Sequence, residues 1–329
     1  MAAGILLVLL GLSYVPPSAV PFMPSLTLGT PVLLVVNSLF FLYWLLGLSK
    51  KCLLSFLILL ICSPFLSSFV QFNLTDGEQG VNKKMLKLLS FNSHYFNSYV
   101  TGKSFKNSFL KIIKEEQPDI MFLQEANLEV FDKEFEAYKY REATVTNGRA
   151  IGANPILSKY PIINHGSVGM DNVHIGRNAL FVDVIIDNDT LRCYNAHLTS
   201  YRLAKEAEEL QEKGAKTIVS QLNKVFIHQE NQINIIANHI KTSKYPVIFC
   251  GDFNNMAFSY VYKEVKKAGN LKDTFVEKGS GFGATHDFNY FPTRIDFVLV
   301  PNEYEVLSHK VLKTKKWSDH YPVISAIAL

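Results

Sequence analysis

The first 70 residues contain no aspartate or glutamate, and Lys50 and Lys51 are their only basic residues. This stretch constrains the fold more than any other feature of the chain, because so much apolar surface must be removed from water. Residues 32–49 and 52–70 are uncharged, apolar on every face and about long enough to cross a bilayer core as helices. We therefore predict that both span a membrane, and that Pro64 kinks or ends the second helix.

A shorter apolar run, residues 4–15, precedes this pair and is followed by four prolines within residues 16–24. We predict a third span here, with a signal-like segment as the alternative, although no basic residues precede it. Short loops that carry lysine tend to stay cytoplasmic. Lys50 and Lys51 therefore predict a cytoplasmic hairpin tip in a multi-pass membrane protein, and the domain after residue 71 is then extracytoplasmic.

The rest of the chain is close to electroneutral. It holds all 29 acidic residues and every basic residue except Lys50 and Lys51, which leaves a net charge of about +2. Tight binding to duplex DNA usually needs a strongly basic face that displaces counterions from the phosphates. A processive duplex-DNA-binding protein is therefore disfavoured.

From residue 84 onward, continuous apolarity gives way to short apolar runs separated by helical segments. The runs that predict strands are residues 85–92, 119–126, 154–162, 179–186, 190–198, 246–254, 294–300 and 322–329. Helical spacing occurs in residues 104–117, 202–241 and 259–267, the last with Ser259 as its cap. This pattern predicts an α/β domain over residues 84–329, joined by a linker, residues 71–83, to the transmembrane segment, residues 1–70.

Polar side chains recur where these apolar runs end, namely Asn92, Glu125, Asn195, His197, Asp252 and Asn254. A carboxylate directly after a buried run is costly unless it is paired or binds a cation. The ends of strands in layered α/β proteins converge on a cleft, so these residues predict a single site.

Seven segments carry a more specific signal: LLSFN (88–92), DIMFLQEA (119–126), ILSKYPI (156–162), YNAHL (194–198), VIFCGDFNN (247–255), RIDFVLV (294–300) and WSDHYPV (317–323). In this order they resemble the motifs of the endonuclease/exonuclease/phosphatase superfamily, which includes deoxyribonucleases, apurinic-site endonucleases, neutral sphingomyelinases and inositol-polyphosphate phosphatases. The resemblance covers about residues 84–329. It implies a four-layer sandwich of two mixed β-sheets with helices outside, and attack by water on a phosphoester with the aid of Mg²⁺ or Mn²⁺.

The resemblance also implies roles for single residues. Glu125 resembles the principal metal ligand, supported by Asn92 and Asp319. Asp252 would orient or deprotonate the attacking water, and Asn254 would hold a phosphate oxygen.

Two histidines complete the implied catalytic set. His320 would pair with Asp296 and take part in proton transfer, and His197 would donate to the phosphoryl or leaving oxygen. Arg177 resembles a phosphate-contacting arginine of the family. The residues expected to line the cleft are Tyr160, Asn195 and His94. The other histidines, including His286, are expected at the surface or in loops.

The substrate class stays open. The segment FPTRIDF replaces the tryptophan-centred block of inositol-polyphosphate phosphatases, which argues against that branch. Two substrate classes remain: a phosphodiester in nucleic acid outside the cytoplasm, or one in a phospholipid head group. The lipid bilayer is the other predicted partner, and no protein partner is predicted. One alternative is a catalytically silent binding module of the same fold. A transport protein is disfavoured, because the predicted spans contain no Asp, Glu, Lys, Arg or His.

Overall fold

The computed structural model describes residues 2–20, 24–73, 84–126, 135–143, 154–169, 179–200, 215–287, 292–314 and 317–329. The prediction for Arg177 and the first part of the helix predicted over residues 202–241 lie outside the described residues.

The described part of the N-terminal segment is mostly helical, with α1 (Ala2–Leu12), α2 (Thr30–Leu46), α3 (Cys52–Ile61) and α4 (Ser63–Leu66). A 3-10 turn precedes α2, so that the helical stretch Ser25–Leu46 has 22 residues. Among the described residues it is the one helix that is long and apolar enough to cross a membrane, by length and composition.

The prediction of two or three spanning helices is not confirmed. The second predicted span, residues 52–70, is not one helix, because α3 ends at Ile61 and α4 has only four residues. Pro64 lies in the first turn of α4, where a missing N–H is tolerated, so the predicted break in this segment is observed. The helix α1 has 11 residues, which is short for a span.

The rest of the chain forms strands and further helices. The strands are β1 (Gln71–Phe72), β2 (Met85–Asn92), β3 (Ile120–Gln124), β4 (Tyr140–Glu142), β5 (Ile156–Ser158), β6 (Ile162–Val168), β7 (Ala179–Ile186), β8 (Asp189–His197), β9 (Val247–Asp252), β10 (Leu271–Asp273), β11 (Ser280–Gly281), β12 (Asp296–Pro301), β13 (Glu305–Val311) and β14 (Val323–Ala328). The helices are α5 (Lys106–Glu116), α6 (Ala215–Lys241), α7 (Tyr260–Gly269) and α8 (Thr274–Lys278).

Twelve of these strands form two six-stranded sheets, in the orders β10-β12-β9-β8-β7-β6 and β13-β14-β2-β3-β5-β4. Each sheet contains one parallel pair, β8 with β9 and β2 with β3, among antiparallel ones, so both sheets are mixed. Apolar side chains of the two inner faces pack together, for example Leu88 and Phe122 with Val182 and Ile248. The helices α6 and α7 cover the outer face of one sheet, and α5 covers the other. The predicted four-layer sandwich is confirmed.

All eight predicted strands occur, but β5 (Ile156–Ser158) has only three of the nine residues predicted in 154–162. Two longer strands, β6 and β13, were not predicted. Each lies at the edge of a sheet and is partly exposed, so its sequence lacks a continuous apolar run. The helix α7 starts as predicted, because the hydroxyl oxygen of Ser259 accepts a hydrogen bond from the Tyr262 N–H.

The N-terminal segment packs against the domain on the side of α6 and α7. The backbone N–H and the side-chain hydroxyl of Ser18 each donate a 2.7 Å hydrogen bond to the Glu230 carboxylate. The Arg294 guanidinium donates to the Ser68 carbonyl oxygen at 3.0 Å. Apolar side chains of the segment also form a buried cluster with Phe258, four residues beyond Asn254. The start of the predicted linker is ordered too, since β1 pairs with β11.

Candidate active site

The predicted polar residues converge at one end of the inner strands of both sheets. Asn92 ends β2, and Glu125 follows β3 directly; these two strands are parallel neighbours. In the facing sheet His197 ends β8 and lies opposite Asp252, which ends β9. Asp296 begins the antiparallel strand β12 and is also a register partner of Asp252. The strand order therefore brings these side chains to the same edge.

Asp252 lies at the centre of this group and is almost fully buried. The Asn92 amide donates to its Oδ2 at 3.0 Å, and the Asn254 backbone N–H donates to its Oδ1 at 2.8 Å. Its Oδ2 is also 3.6 Å from Nε2 of His197 and 3.6 Å from Nε2 of His320. One carboxylate is thus surrounded by two amide donors and two imidazole rings.

The backbone before Asp252 depends on a glycine. Gly251 has φ +147°, and a Cβ built on it would lie 1.9 Å from the Ala196 carbonyl oxygen. Any side chain there would push β9 away from β8, and with it Asp252 away from His197.

His320 is held from behind by Asp296. Its Nδ1 lies 2.9 Å from Oδ2 of Asp296, and both residues are buried. The hydroxyl of Thr285 accepts hydrogen bonds from the backbone N–H groups of Ile295 and Asp296, which fixes the start of β12. With Nδ1 bound to the carboxylate, Nε2 of His320 is directed toward Asp252.

The charges in this site shift the pKa values of both central groups. Burial raises the pKa of the Asp252 carboxyl, an effect that the nearby histidines oppose. Burial alone would lower the pKa of His320, but the carboxylates of Asp296 and Asp252 outweigh it and raise the pKa well above its usual value. The site therefore keeps a cationic imidazole next to a carboxylate that has been removed from water, a pairing suited to proton transfer.

Glu125 lies at the rim of this group, with Oε1 3.8 Å from Nε2 of His197. It adopts a left-handed backbone conformation with φ +48°, as does Asn254 with the same value. Non-glycine residues in this conformation are uncommon and often lie at functional sites. The Asn254 amide donates to the Leu198 carbonyl oxygen at 3.0 Å, which orients its side chain at the end of β8.

Asp319 lies on the other side of the cleft among histidines. Its Oδ2 is 3.9 Å from Nε2 of His286, and the His286 ring centroid is 4.9 Å from that of His320. Burial would raise the pKa of Asp319, but the charges of His320, His286 and His94 together lower it. His94, expected to line the cleft, is one of the charges that act on Asp319.

Two expected cleft residues lie elsewhere. Asn195 is fully buried between the sheets, where its amide donates to the carbonyl oxygens of Leu123 and Pro155 and accepts from Gln124. It precedes His197 by two residues, so it lies about 7 Å deeper along β8 and braces the sheets beneath the cleft.

Tyr160 is at the opposite end of the sandwich. It follows β5, which runs antiparallel to β3, and its ring lies 5.0 Å from the Lys84 ammonium just before β2. The prediction that Tyr160 and Asn195 line the cleft is therefore wrong.

His286, expected at the surface or in a loop, does lie in an irregular segment, but that segment is beside His320 and Asp319. His286 forms single β-bridges with Thr293 and His320 and has only a quarter of its side chain exposed. Its only signal in the sequence was its position ten residues before Asp296, which is not diagnostic by itself.

Comparisons with known proteins agree with this architecture. Residues 89–320, more than half of the chain, match the sequence model described as Endonuclease/Exonuclease/phosphatase family. Residues 1–69 match a second model, described as a domain of unknown function. No curated protein matches the chain significantly.

Solved structures share the fold at low sequence identity. An endonuclease/exonuclease/phosphatase from Bacteroides vulgatus is 18% identical with a TM-score of 0.57, over 75% of this chain and 100% of that one. D. rerio TDP2 complexed with single strand DNA product is 16% identical with a TM-score of 0.54, over 75% and 100%. The Bacteroides thetaiotaomicron mannosyl-6-phosphatase is 16% identical with a TM-score of 0.53, over 74% and 100%. At this identity the likeness shows the fold.

Proposed function

The chain belongs to the endonuclease/exonuclease/phosphatase family, and we propose that it is a membrane-attached phosphodiesterase that requires a divalent cation. Endonucleases, exonucleases and phosphatases all hydrolyse phosphate esters, so family membership supports a phosphoester hydrolase in general. The observation that carries the finer proposal is the buried Asp252 carboxylate, contacted by Asn92 and by two histidines, His197 and His320.

Asp252 orients the attacking water and accepts its proton. The raised pKa of this buried carboxyl makes it a stronger base than an exposed aspartate. The two N–H donors on it, from Asn92 and Asn254, fix the carboxylate so that its remaining lone pairs are directed into the cleft. As the water oxygen forms its bond to phosphorus, the bond to the leaving oxygen breaks on the opposite side.

The histidines act on the phosphoryl group. His320, held cationic by Asp296, donates from Nε2 to an oxygen whose negative charge grows in the transition state. His197 donates a hydrogen bond or a proton to the phosphoryl or leaving oxygen. Asn254 holds a further phosphate oxygen. Arg177 is proposed as a phosphate contact on the family resemblance alone.

The donors at the rim fit a hard cation such as Mg²⁺ or Mn²⁺. Glu125 and Asp319 supply carboxylate oxygens, and Asn92 supplies an amide oxygen. The Glu125 side chain is 28% exposed and that of Asp319 39%, so both carboxylates reach the cleft. When bound, the cation would neutralise charge on the phosphate and polarise it for attack.

Membrane attachment is favoured by the exposed face of the N-terminal helices. The apolar side chains Leu39, Leu42 and Leu46 of α2 are exposed, whereas the other end of the hairpin packs on the domain. At the exposed tip the Lys51 ammonium lies 4.6 Å from the Trp44 ring. Tryptophan and lysine together are typical of the membrane–water interface.

The natural substrate is a phosphodiester in nucleic acid or in a phospholipid head group. One protein of this fold was solved with a DNA product, and another is a mannosyl-6-phosphatase. The fold alone therefore does not identify the substrate class. Attachment to a bilayer would raise the local concentration of a lipid substrate, and an extracytoplasmic nuclease is the second candidate.

The test uses the full chain in detergent micelles. We expect hydrolysis of bis-p-nitrophenyl phosphate with Mg²⁺ or Mn²⁺, and loss of this activity in EDTA. The same preparation is then assayed with plasmid DNA, RNA, sphingomyelin and phosphatidyl lipids to identify the substrate class. A folded protein that hydrolyses none of these with any divalent cation would instead be a silent binding module.

We also propose that residues 52–70 cross the membrane as well as α2, so that cytoplasmic Lys50 and Lys51 place the catalytic domain outside the cytoplasm. A reporter fused after Leu329 tests this, with an enzyme that is active only on one side of the membrane. Activity of a cytoplasm-only reporter would contradict the proposed orientation.

A further inference from the structure

The N-terminal segment is attached to the domain at the end of the sandwich that carries the cleft. Arg294, which donates to the Ser68 carbonyl oxygen at 3.0 Å, precedes Asp296 by two residues. Phe258, which belongs to the buried cluster of the segment, follows Asn254 by four residues. Four residues of chain reach at most about 14 Å, so both points of attachment lie close to residues of the candidate site.

The contacts of the segment with α6 lie at the same end. The Gln229 amide donates to the carbonyl oxygens of Phe253 and Asn254, each at 3.3 Å, so this part of α6 lies beside the loop that follows β9. The next residue of α6, Glu230, accepts the two hydrogen bonds from Ser18. The segment is therefore held beside the cleft through β12, through the loop after β9 and through α6.

Exposed aromatic side chains continue the apolar surface of the segment onto the domain. The buried Phe69 ring has its centroid 5.1 Å from that of Phe282, a residue that is 49% exposed. Phe72 lies three residues after Phe69, on β1, and is 80% exposed. From Phe282 the chain reaches His286, which is bridged to His320, in four residues. Two large apolar side chains beside the cleft are thus left in water, where they indicate a contact surface.

The hairpin of α2 and α3 is buried at its base and exposed beyond it. At the base, Leu34 and Ile58 belong to the cluster that includes Phe258. Farther along the hairpin, Leu39 and Leu53 are exposed. Lipid that covers the exposed part of the hairpin must therefore end near its base, and the base lies beside the cleft.

We propose that the cleft end of the domain rests on the surface of the bilayer that holds the hairpin, with Phe72 and Phe282 among the lipid head groups. A phospholipid bilayer fits this surface because the surface continues an apolar segment without acidic residues. The inference rests on the membrane attachment in the proposed function and adds the face of the domain that meets the lipid. This orientation places head-group phosphodiesters, rather than nucleic acid in solution, next to the cleft.

The test uses the full chain in phosphatidylcholine vesicles that contain a phosphatidylcholine with a nitroxide quencher on its head group. Phe72→Trp and Phe282→Trp each add a fluorophore, and the unsubstituted chain with Trp44 and Trp317 gives the baseline. We expect most of the added fluorescence to be lost in both variants. The matched control is Tyr160→Trp, at the opposite end of the sandwich, whose added fluorescence should be unchanged.

Flotation of the vesicles separates this inference from the proposed attachment. A chain that does not float with the vesicles would overturn both. If the chain floats but Phe72→Trp and Phe282→Trp are quenched no more than Tyr160→Trp, only the orientation is overturned. Because Phe72 is largely exposed, its replacement should leave the melting temperature and the hydrolysis of bis-p-nitrophenyl phosphate unchanged. Quenching in a chain that hydrolyses no phosphodiester would count against the proposed catalysis and leave the orientation standing.

Discussion

Nδ1 of His320 lies 2.9 Å from Oδ2 of Asp296 and 3.1 Å from its Oδ1, and both side chains are buried. The carboxylate is the main reason that the pKa of His320 is raised against the effect of burial. The pair therefore sets both the orientation and the charge of the imidazole that faces Asp252.

We expect Asp296→Asn to lower kcat for bis-p-nitrophenyl phosphate by about 10²–10⁴, the usual contribution of a positioned proton-transfer group. Removal of the carboxylate lowers the pKa of His320, so the cationic form is lost at a lower pH. The alkaline limb of the pH–rate profile should therefore move to lower pH. A reduced kcat with an unshifted limb would mean that Asp296 has only a structural role.

Asp252→Asn should separate activity from stability. Hydrolysis should fall by at least about 10²–10³. Burial raises the pKa of Asp252, so the ionised carboxylate opposes folding at neutral pH, and the neutral amide should leave the melting temperature unchanged or higher. His165→Ala, at an exposed histidine, is the control for both measurements. Near wild-type turnover in Asp252→Asn would reject its assignment as the base.

Most of this site could be predicted because its residues follow long apolar runs. Asp252 directly follows VIFCG, and Glu125 directly follows IMFLQ, so the strand ends are visible in the sequence. Parallel pairing and the facing of two sheets then bring those ends together. The same logic failed for Asn195, because a sequence shows that a residue is near a strand end but not which side chains are covered by the opposite sheet.

His286 was not predictable for a different reason. It lies in an irregular segment, and its position depends on single bridges to Thr293 and to His320, which leave no periodicity in the sequence. The edge strand β13 was missed because the consecutive polar residues Ser308, His309 and Lys310 leave neither a continuous apolar run nor a clear alternation.

Removal of the divalent cation should abolish hydrolysis reversibly. EDTA is expected to reduce turnover to background, and added Mg²⁺ or Mn²⁺ to restore it, because the carboxylates proposed to hold the ion, Glu125 and Asp319, are partly exposed to solvent. Glu125→Gln should raise the Mg²⁺ concentration needed for half-maximal rate by at least about tenfold. Glu115→Gln, at an exposed glutamate of α5, is the matched control. Activity that survives EDTA would contradict the metal requirement.

Removing one partner of the buried ion pair of Arg294 and Asp273 should destabilise the fold far more than breaking an exposed pair. Arg294 Nη1 is 2.7 Å from Asp273 Oδ2, and both side chains are at most 5% exposed. Arg294→Met leaves the Asp273 carboxylate unpaired and should lower the free energy of unfolding by about 3–5 kcal/mol. Lys84→Met breaks an exposed pair with Asp187 and should cost under about 1 kcal/mol. If denaturant titrations show that Arg294→Met and Lys84→Met lose the same free energy of unfolding, this ranking is contradicted.

His309 should make the fold sensitive to mild acid. Burial lowers the pKa of His309 from 6.5 to about 4, and its Nε2 is buried without a hydrogen-bond partner. Between these two pH values the unfolded chain binds a proton that the folded protein does not, so stability falls as pH decreases from 6.5 toward 4. The contribution of this one group is up to about 3 kcal/mol.

His309→Gln removes the titrating ring and can keep a polar partner for Thr274, whose hydroxyl lies 2.9 Å from Nδ1. Denaturant titrations of both proteins across this pH range should show that the free energy of unfolding depends less on pH in the variant. Above pH 7 the two curves of free energy against pH should run parallel, because the ring is neutral in both the folded and the unfolded state. Other histidines titrate in the same range, so the difference between the curves isolates His309. Parallel curves down to pH 4 would mean that His309 is protonated as readily in the folded protein as in the unfolded chain.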